Sequence, residues 1–185
     1  MTRTRPFLAP LLLVLAAAAI LLAMGRPPIC TCGRVTLWVS SSTSPETSQM
    51  LADWYSASHL VHGFLFFGLL WLVARRLPVA TRLLIAIVIE ASWEIAENSP
   101  WIIDRYRSAT AAVGYSGDSV LNSVSDIVMM IAGFLLARRL PLWASIVVVI
   151  LLELIPLIVI RDNLTLNIIM LLRPSDAIRT WQTGA

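Results

Sequence analysis

The stretch SASHLVHGFLFFGLLW, residues 56–71, begins with two histidines and continues as a nearly unbroken apolar run. The run is typical of a helix that crosses a bilayer, although imidazole groups are costly in hydrocarbon and need a reason to be there. The rest of the chain has the same character, since 58% of its 185 residues are hydrophobic and 14% are charged. This composition predicts an integral membrane protein rather than a soluble domain.

Five apolar runs are long enough to predict transmembrane helices, because about 20 apolar residues span a bilayer as a helix. The predicted spans are residues 7–24, 58–74, 80–98, 119–137 and 142–160. A sixth run, residues 164–172, is too short to cross and predicts an interfacial or re-entrant helix in the C-terminal tail. The fold class is therefore an all-α polytopic membrane helix bundle of about five transmembrane helices, forming one integral membrane domain over residues 1–185.

Local signals predict how some of these helices begin and bend. The sequence SPET, residues 44–47, predicts a helix start before the second span, and residues 101–118 are predicted to be a loop. Asp118 is predicted to cap the fourth span and Pro156 to kink the fifth. The first span resembles a signal peptide, but its apolar run is longer than a usual signal core, so we expect an uncleaved anchor.

All basic residues are arginines, and their positions predict the orientation. With five spans, one side of the membrane receives the arginines that flank short loops: Arg3, Arg5, Arg75, Arg76, Arg82, Arg138 and Arg139. The positive-inside rule then makes the N-terminus cytoplasmic and the C-terminus periplasmic in a Gram-negative host. Trp54, Tyr55, Trp101 and Tyr106 fall at the predicted outer boundary, where aromatic rings are enriched.

This orientation places the polar residues of three spans at one depth, in the outer half of the membrane. Helical spacing gives each span one polar face, because residues three or four apart are neighbours on a helix. The three faces contain His59 and His62; Glu90, Glu94 and Glu97; and Ser119, Asn122 and Asp126. A charge facing lipid near the bilayer centre costs about 2.5–3.5 kcal/mol on insertion scales. We therefore expect the faces to turn toward each other.

Imidazoles and carboxylates that converge in a sheltered pocket are the ligand types of a divalent metal: zinc, iron or manganese. Such an ion would also offset the repulsion among the carboxylates. The predicted metal ligands are His59, His62, Glu94, Asp126 and Asn122. Glu97 and Glu90 are the predicted catalytic residues, one of them as the general base for a lipid or lipid-linked substrate in the outer leaflet. Both residues, like Asn122, could instead be further ligands or groups that orient the ligands.

Each polar element also has a structural interpretation. The histidines can lie at the interface and reach water, and the acidic face can pair with Arg105 and Arg107. Asp104 can pair with a neighbouring arginine, Glu153 can be a protonated core carboxyl, and Ser119 and Asn122 can simply hydrogen-bond between helices.

Cys30 and Cys32 are separated by one residue. This spacing disfavours a disulfide in ordinary geometry. The pair is then either two loop thiols or a site for a soft metal.

Three function classes follow from these observations. The first is a metal-dependent hydrolase or transferase, and the second is an ion- or proton-coupled transporter, for which no polar route through the inner half is visible. The third is a periplasmic metal-handling or assembly protein without catalysis, in which the two cysteines pass metal to the histidines. The membrane bilayer is the expected partner, and no basic run with interleaved aromatic residues predicts binding of nucleic acid.

Three blocks carry a resemblance to a known family: SASHLVHGFLFFGLLWL, EASWEIAENSPWIIDRYR and GYSGDSVLNSVSDI, which begin at Ser56, Glu90 and Gly114. They resemble an uncharacterised family of small multipass bacterial inner-membrane proteins, catalogued as a domain of unknown function. The resemblance implies a multipass fold in the bacterial cell inner membrane and no particular reaction. A looser likeness to VanZ-type small membrane proteins carries no residue roles.

The predicted orientation has a direct test. A periplasm-active alkaline phosphatase fused after Ala185 should be active, and a fluorescent protein that folds only in the cytoplasm should be dark at the same position. The opposite pair of results would contradict the placement of the polar faces in the outer leaflet.

Overall fold

The computed structural model describes residues 8–184. Within that range the chain contains helices and no strand, as the sequence predicts. The helices are α1 (Leu8–Ala23), α2 (Ser56–Val73), α3 (Val79–Glu97), α4 (Pro100–Ala109), α5 (Val120–Arg139), α6 (Leu142–Ile160), α7 (Leu164–Leu172) and α8 (Asp176–Thr183).

Three helices, α2, α5 and α6, are long and apolar enough to cross a membrane, judged by length and composition. Helix α3 has a similar length of 19 residues but carries Arg82 and three glutamates, and α1 is apolar but has only 16 residues. Each predicted span coincides with one of these five helices, and α7 has the predicted bounds. Phe7, where the first span was predicted to begin, lies outside the described residues with Arg3 and Arg5. The number of crossings and their orientation stay predictions.

Two sequence-based expectations about helix starts are wrong. The SPET segment does not begin a helix, because the Ser44 hydroxyl accepts from the Glu46 amide at 3.1 Å and the chain continues in turns until α2 begins at Ser56. Asp118 does not cap α5. The hydroxyl of the next residue, Ser119, accepts from the Asn122 amide at 3.1 Å, and this leaves the Asp118 carboxylate to other partners.

The predicted loop over residues 101–118 is also wrong in its first half, which forms α4. The Ser99 hydroxyl accepts from the Ile102 amide at 3.4 Å, and Pro100 occupies the first helical position, where its missing N–H is not needed. Beyond α7, the tail forms one further short helix, α8, which the sequence analysis did not predict.

Helices α2 and α5 form the most extensive pair of the bundle, and α1 and α3 pack beside them. Helix α6 packs mainly against α2. Pro156 is the only residue of this helix that is buried in the described structure. The other side chains of α6 are partly or fully exposed. The bundle therefore consists of an inner group, α2, α3 and α5, with α1 and α6 at its edge.

The backbones of α2 and α5 approach each other closely at two glycines. A Cβ atom added to Gly63 would lie 2.2 Å from the Met130 carbonyl oxygen, and one added to Gly133 would lie 2.1 Å from the Leu60 carbonyl oxygen. Small residues at a helix contact allow backbones to approach in this way. The glycines thus fix how far the polar ends of α2 and α5 stand from each other.

The bundle has two ends of different character. The arginine end is defined by the exposed Arg75, Arg76, Arg138 and Arg139, and the cluster end is the opposite one, where α2 begins and α3 ends. Between them lies an apolar core that includes Leu70, Ile87, Ile127, Met130 and Phe134. This core separates the polar residues of the cluster end from the arginines.

Residues 24–55 cover the cluster end and close the start of α5. The first helical amides of α5 have no partner within the helix. The carbonyls of Pro27 and Pro28 accept from Val120 and Leu121 at 2.8 and 3.1 Å, and the Ser48 carbonyl accepts from Ser119 at 3.0 Å. The connection is therefore part of the fold rather than a loose linker.

Cys30 and Cys32 are joined by a disulfide within this connection. The expectation that their spacing disfavours a disulfide is wrong here, because a turn closed by the Gly33 amide on the Cys30 carbonyl sets the two Cα atoms 5.1 Å apart. That separation lies within the ordinary range for disulfides.

The glycine contact generates a prediction about stability. Gly63→Ala and Gly133→Ala should each lower the free energy of unfolding by about 1–3 kcal/mol, the usual cost of overpacking. The reason is that the new methyl group meets backbone atoms. Gly68→Ala is the matched control, since nothing lies within 4 Å of a Cβ there. Thermal unfolding in detergent measures the effect, and equal midpoints for all three variants would contradict the proposed contact.

Candidate metal and catalytic site

The three polar faces predicted from helical spacing meet at the cluster end. Helix α2 contributes its first turns, α3 its last turns and α5 its first turns. His59, Glu90, Glu94 and Asp126 are buried, and His62 is largely buried, with 16% of its side chain exposed. These ionisable side chains therefore face one another inside the bundle.

Glu90 is the residue that joins the two histidines. Its Oε1 lies 2.7 Å from His59 Nδ1, and its two carboxylate oxygens lie 3.1 and 3.0 Å from His62 Nδ1. Glu90 is fully buried, so these imidazoles take the place of water around its carboxylate. The catalytic role predicted for Glu90 stays a prediction, and the structure places its carboxylate between the two imidazoles.

Glu94 and Asp126 approach His59 from the other helices. Glu94 Oε1 lies 3.3 Å from His59 Nδ1, and Asp126 Oδ2 lies 3.8 Å from His59 Nε2. Asp126 Oδ1 also accepts from the Ser56 hydroxyl at 3.0 Å. Glu94 Oε1 is buried and makes no hydrogen bond in the described structure, because the nearby His59 Nδ1 is directed to Glu90 at 2.7 Å. A buried carboxylate oxygen without a partner is costly and calls for a proton or a cation.

The remaining predicted residues, Asn122 and Glu97, lie at the edge of this cluster. The Asn122 side chain donates to the Met50 carbonyl at 3.0 Å, which ties α5 to the connection before α2. Glu97 is half-buried at the end of α3 and lines the adjoining cavity. Asn122 thus has a structural partner, and Glu97 faces the space that a substrate would enter.

Two groups of side chains are arranged so that they could hold a metal ion. One consists of His59, His62 and Glu90, and the other of His59, Glu94 and Glu97. In each group one donor atom per residue lies within 4.8 Å of the others. Ligands about 2.0–2.2 Å from a tetrahedral ion stand about 3.4 Å apart, so both groups are close to the spacing that an ion requires.

A second polar network, built around Asp118, borders the cluster. Asp118 accepts from Asn98 Nδ2 at 2.7 Å and from the Tyr115 hydroxyl at 2.9 Å, and its own amide donates to Asn98 Oδ1 at 2.7 Å. Burial raises the pKa of Asp118, and the two donated hydrogen bonds oppose that rise. Burial and the nearby carboxylate raise the pKa of Tyr115 well above its ordinary value, so the phenol keeps its proton.

Sequence reasoning did not find the Asp118 network, although it singled out Asp118 itself. Asn98 was taken as the end of a span and Tyr115 as part of a loop. The usable signal was the density of hydrogen-bonding residues in GYSGDS, residues 114–119.

The structural interpretations can be compared with the observed contacts. Arg105 donates to the Leu171 carbonyl and Arg107 to the Tyr115 carbonyl, so in residues 8–184 neither pairs with the acidic face of α3. The predicted pairing of Asp104 is confirmed, with Arg107 Nη1 at 3.8 Å. Glu153 accepts from the amides of Leu164 and Thr165 and so stabilises the start of α7.

A cavity of about 790 Å³ opens beside the cluster. His59, His62, Glu90, Glu97 and Asp126 are among its lining residues. The tail closes part of it: one face of α7 lines the cavity with Leu164, Asn167, Ile168 and Leu171. The Tyr55 hydroxyl and Gln182 Nε2 both donate to Asp162, at 3.2 and 3.0 Å, and hold the tail against the start of α2.

These features define a class: an all-helical protein whose apolar helices enclose a histidine–carboxylate cluster beside a cavity. The chain belongs to the family described as "Protein of unknown function (DUF2585)", which matches residues 21–184. This confirms the resemblance to an uncharacterised family. No solved structure matches the chain.

Relatives described as "UPF0314 protein" are similar over most of the chain. One from Paracoccus denitrificans is 53% identical, covering 98% of this chain and 94% of its own length. Another from Sphingopyxis alaskensis is 56% identical, covering 93% and 92%. A third from Novosphingobium aromaticivorans is 57% identical, covering 92% and 88%.

The docking of the tail should depend on pH through Asp162. Burial raises the pKa of Asp162 from 3.8 to about 6, so the folded protein holds this proton more tightly than the unfolded chain. The stability contributed by the protonated form is present below about pH 4 and is lost as pH rises to about 6. Asp162→Asn mimics the protonated form and should gain thermal stability relative to the parent across this interval.

The control is Asp104→Asn, at a carboxylate whose side chain is 76% exposed. Its unfolding midpoint should differ from that of the parent by the same amount at pH 4 and pH 7. A constant difference for Asp162→Asn over the same interval would contradict the prediction.

Proposed function

We propose that the protein is a metal-dependent membrane enzyme, a hydrolase or transferase that acts on a lipid or lipid-linked substrate in the outer leaflet of the bacterial inner membrane. The observation that carries the proposal is the convergence of two imidazoles with Glu90 and Glu94 beside a cavity, with one buried carboxylate oxygen left without a partner. The apolar helices and the belt of arginines at the other end support the location.

The chemistry of the donor atoms fits a divalent cation. Glu90, Glu94 and Asp126 all lie within 3.8 Å of a nitrogen of one imidazole, His59, and no arginine takes part in these ion pairs in the described residues. Buried carboxylates at this density require protons or a cation. Nitrogen and oxygen ligands in a compact group suit zinc, iron or manganese.

Of the two possible groups, His59, His62 and Glu90 are the favoured ligands. Both imidazoles and Glu90 line the cavity, so an ion held by them would face the substrate. A divalent ion held by these residues would supply Lewis-acid chemistry that activates water as a nucleophile near neutral pH. Asp126, 3.8 Å from His59 Nε2, would then orient this imidazole through the nitrogen that does not face Glu90.

Glu97 is the proposed general base. It lines the cavity near the histidines and belongs to the second donor group with His59 and Glu94. In a hydrolysis the water oxygen bonds to the electrophilic atom of the substrate, Glu97 takes the proton of the water, and the displaced oxygen then receives a proton. In a transferase an acceptor hydroxyl replaces the water.

The alternative functions have less support. A transporter requires a polar route through the bundle, whereas the centre is filled by the apolar core around Ile87, Ile127 and Phe134. A metal-handling protein that uses its cysteines requires free thiols, whereas Cys30 and Cys32 are bonded to each other.

Metal analysis of purified protein tests the proposal. After incubation with zinc, manganese or ferrous ion and removal of excess, the parent should retain about one ion per chain, as a site with three protein ligands implies. His59→Ala and His62→Ala should each lose most of it, and Glu97→Gln should keep it. The Asp104→Asn control should match the parent.

Glu97→Gln then separates binding from chemistry. A general base contributes about 10²–10⁴-fold to a rate, so this variant should lose turnover by that factor while keeping its ion. The proposal fails if the parent retains no more metal than His59→Ala. If Glu97→Gln loses the metal and His62→Ala retains it, the ion is bound by the second donor group, His59, Glu94 and Glu97.

A further inference from the structure

The cavity has two unlike walls. The polar wall is formed by the hydroxyl-rich residues 42–48 and by residues 111–118, together with the histidine–carboxylate cluster. The apolar wall lies between α2, α3 and α7, and its side chains are Leu65, Phe66, Ile89, Trp93, Ile168 and Leu171. A cavity of this kind fits a molecule with one polar end and one hydrocarbon end.

The apolar wall is partly open at its edge. Leu65, Ile89 and Ile168 are exposed by 52%, 40% and 47%. These three side chains lie on helices with lipid-facing sides, so a hydrocarbon chain in the surrounding bilayer can reach the wall without crossing water.

The polar wall is rich in carboxylates. Its lining includes Glu90, Glu97, Asp118 and Asp126, and no arginine is among the described lining residues. The two imidazoles in the lining, His59 and His62, already face Glu90. A phosphate in this wall would lie among acidic groups without a free cationic partner, which disfavours its binding.

Uncharged hydroxyl groups fit the same wall well. The segment 42–48 contributes Ser42, Thr43, Ser44, Thr47 and Ser48, whose hydroxyls both donate and accept. The carboxylates accept from hydroxyl donors, and Tyr55, Tyr106 and Tyr115 add phenol groups to the lining.

We infer that the cavity binds a lipid with an uncharged polyhydroxyl headgroup, such as a glycosyl or glycerol group, with its hydrocarbon chain between α2, α3 and α7. As a statement about substrate, this rests on the proposed function. As a statement about binding, it requires no metal. The headgroup lies beneath residues 42–48, next to His62 and Glu97.

Binding of three amphiphiles with the same octyl chain tests the inference: octyl β-D-glucoside, octyl phosphate and octylammonium. Calorimetric titration below their micelle concentrations uses the full chain in amphipol after treatment with a chelator. The glucoside should bind in a saturable way and at least about tenfold more tightly than octyl phosphate, because of the like-charge repulsion. Tighter binding of octyl phosphate or octylammonium would overturn the inference.

A matched pair of variants locates the binding. Ile89→Trp fills the apolar wall and should weaken glucoside binding by about tenfold or more, as overpacking of a filled site does. Val88→Trp adds the same side chain at a position that is 47% exposed and does not line the cavity, so it should bind like the parent. Equal binding by both variants would overturn the assignment to this cavity.

The two proposals fail separately. Because the titration uses chelated protein, its result does not depend on whether the parent binds an ion. A parent that retains an ion but does not distinguish the three amphiphiles refutes the lipid assignment alone.

Discussion

The close approach of α2 and α5 at Gly63 and Gly133 is the constraint on which the rest of the structure depends. Because neither glycine has a Cβ, the two backbones touch, and the residues one or two turns away come within reach of each other. The Ser56 hydroxyl then reaches Asp126, and His59 lies beside the same carboxylate. A wider separation of the helices would break these contacts before it exposed any apolar core.

Charge neutralisation is the second requirement, and it follows from the first. Once α2, α3 and α5 pack closely, Glu90, Glu94 and Asp126 are buried together around one imidazole. The two histidines supply at most two positive charges, and the Glu90 carboxylate already contacts both imidazoles. Glu94 Oε1 makes no hydrogen bond in the described structure, although His59 Nδ1 lies 3.3 Å away. This imbalance is the reason for the proposal that the cluster binds a cation.

Much of the fold was predictable because long apolar runs and arginine–proline boundaries determine where such helices begin and end. Helices α6 and α7 have the predicted bounds. Helix α4 was missed because Ser99-Pro100 was taken as a stop signal, although the same pair also caps a new helix. The SPET helix was predicted from local capping signals, and these signals carry no information about competing tertiary contacts. The connection containing it is instead held in turns by its bonds to α5.

The site was predictable as a set of residues but not as a set of partners. Helical spacing assigns residues to a face, which is why His59, Glu94 and Asp126 were expected to meet. It does not determine the rotation or the relative height of two helices, and a shift of one turn exchanges Glu90 for Glu94 opposite the histidines. The observed register places Glu90 between both imidazoles. Asn122 shows the same limit, because it lies on the expected face but bonds to the Met50 carbonyl of the connection.

The connection and the tail complete the site in a way that helices alone cannot. Residues 42–48 form the polar wall of the cavity, and α7 forms part of the apolar wall. Both segments are tied to the bundle: the connection through the first amides of α5, and the tail through Asp162 and the Arg105–Leu171 hydrogen bond. A cavity with one wall from loops and one from apolar helices offers polar and apolar surfaces side by side. This combination is why the proposed ligand is a lipid, since the headgroup and the hydrocarbon chain would each meet the wall that suits it.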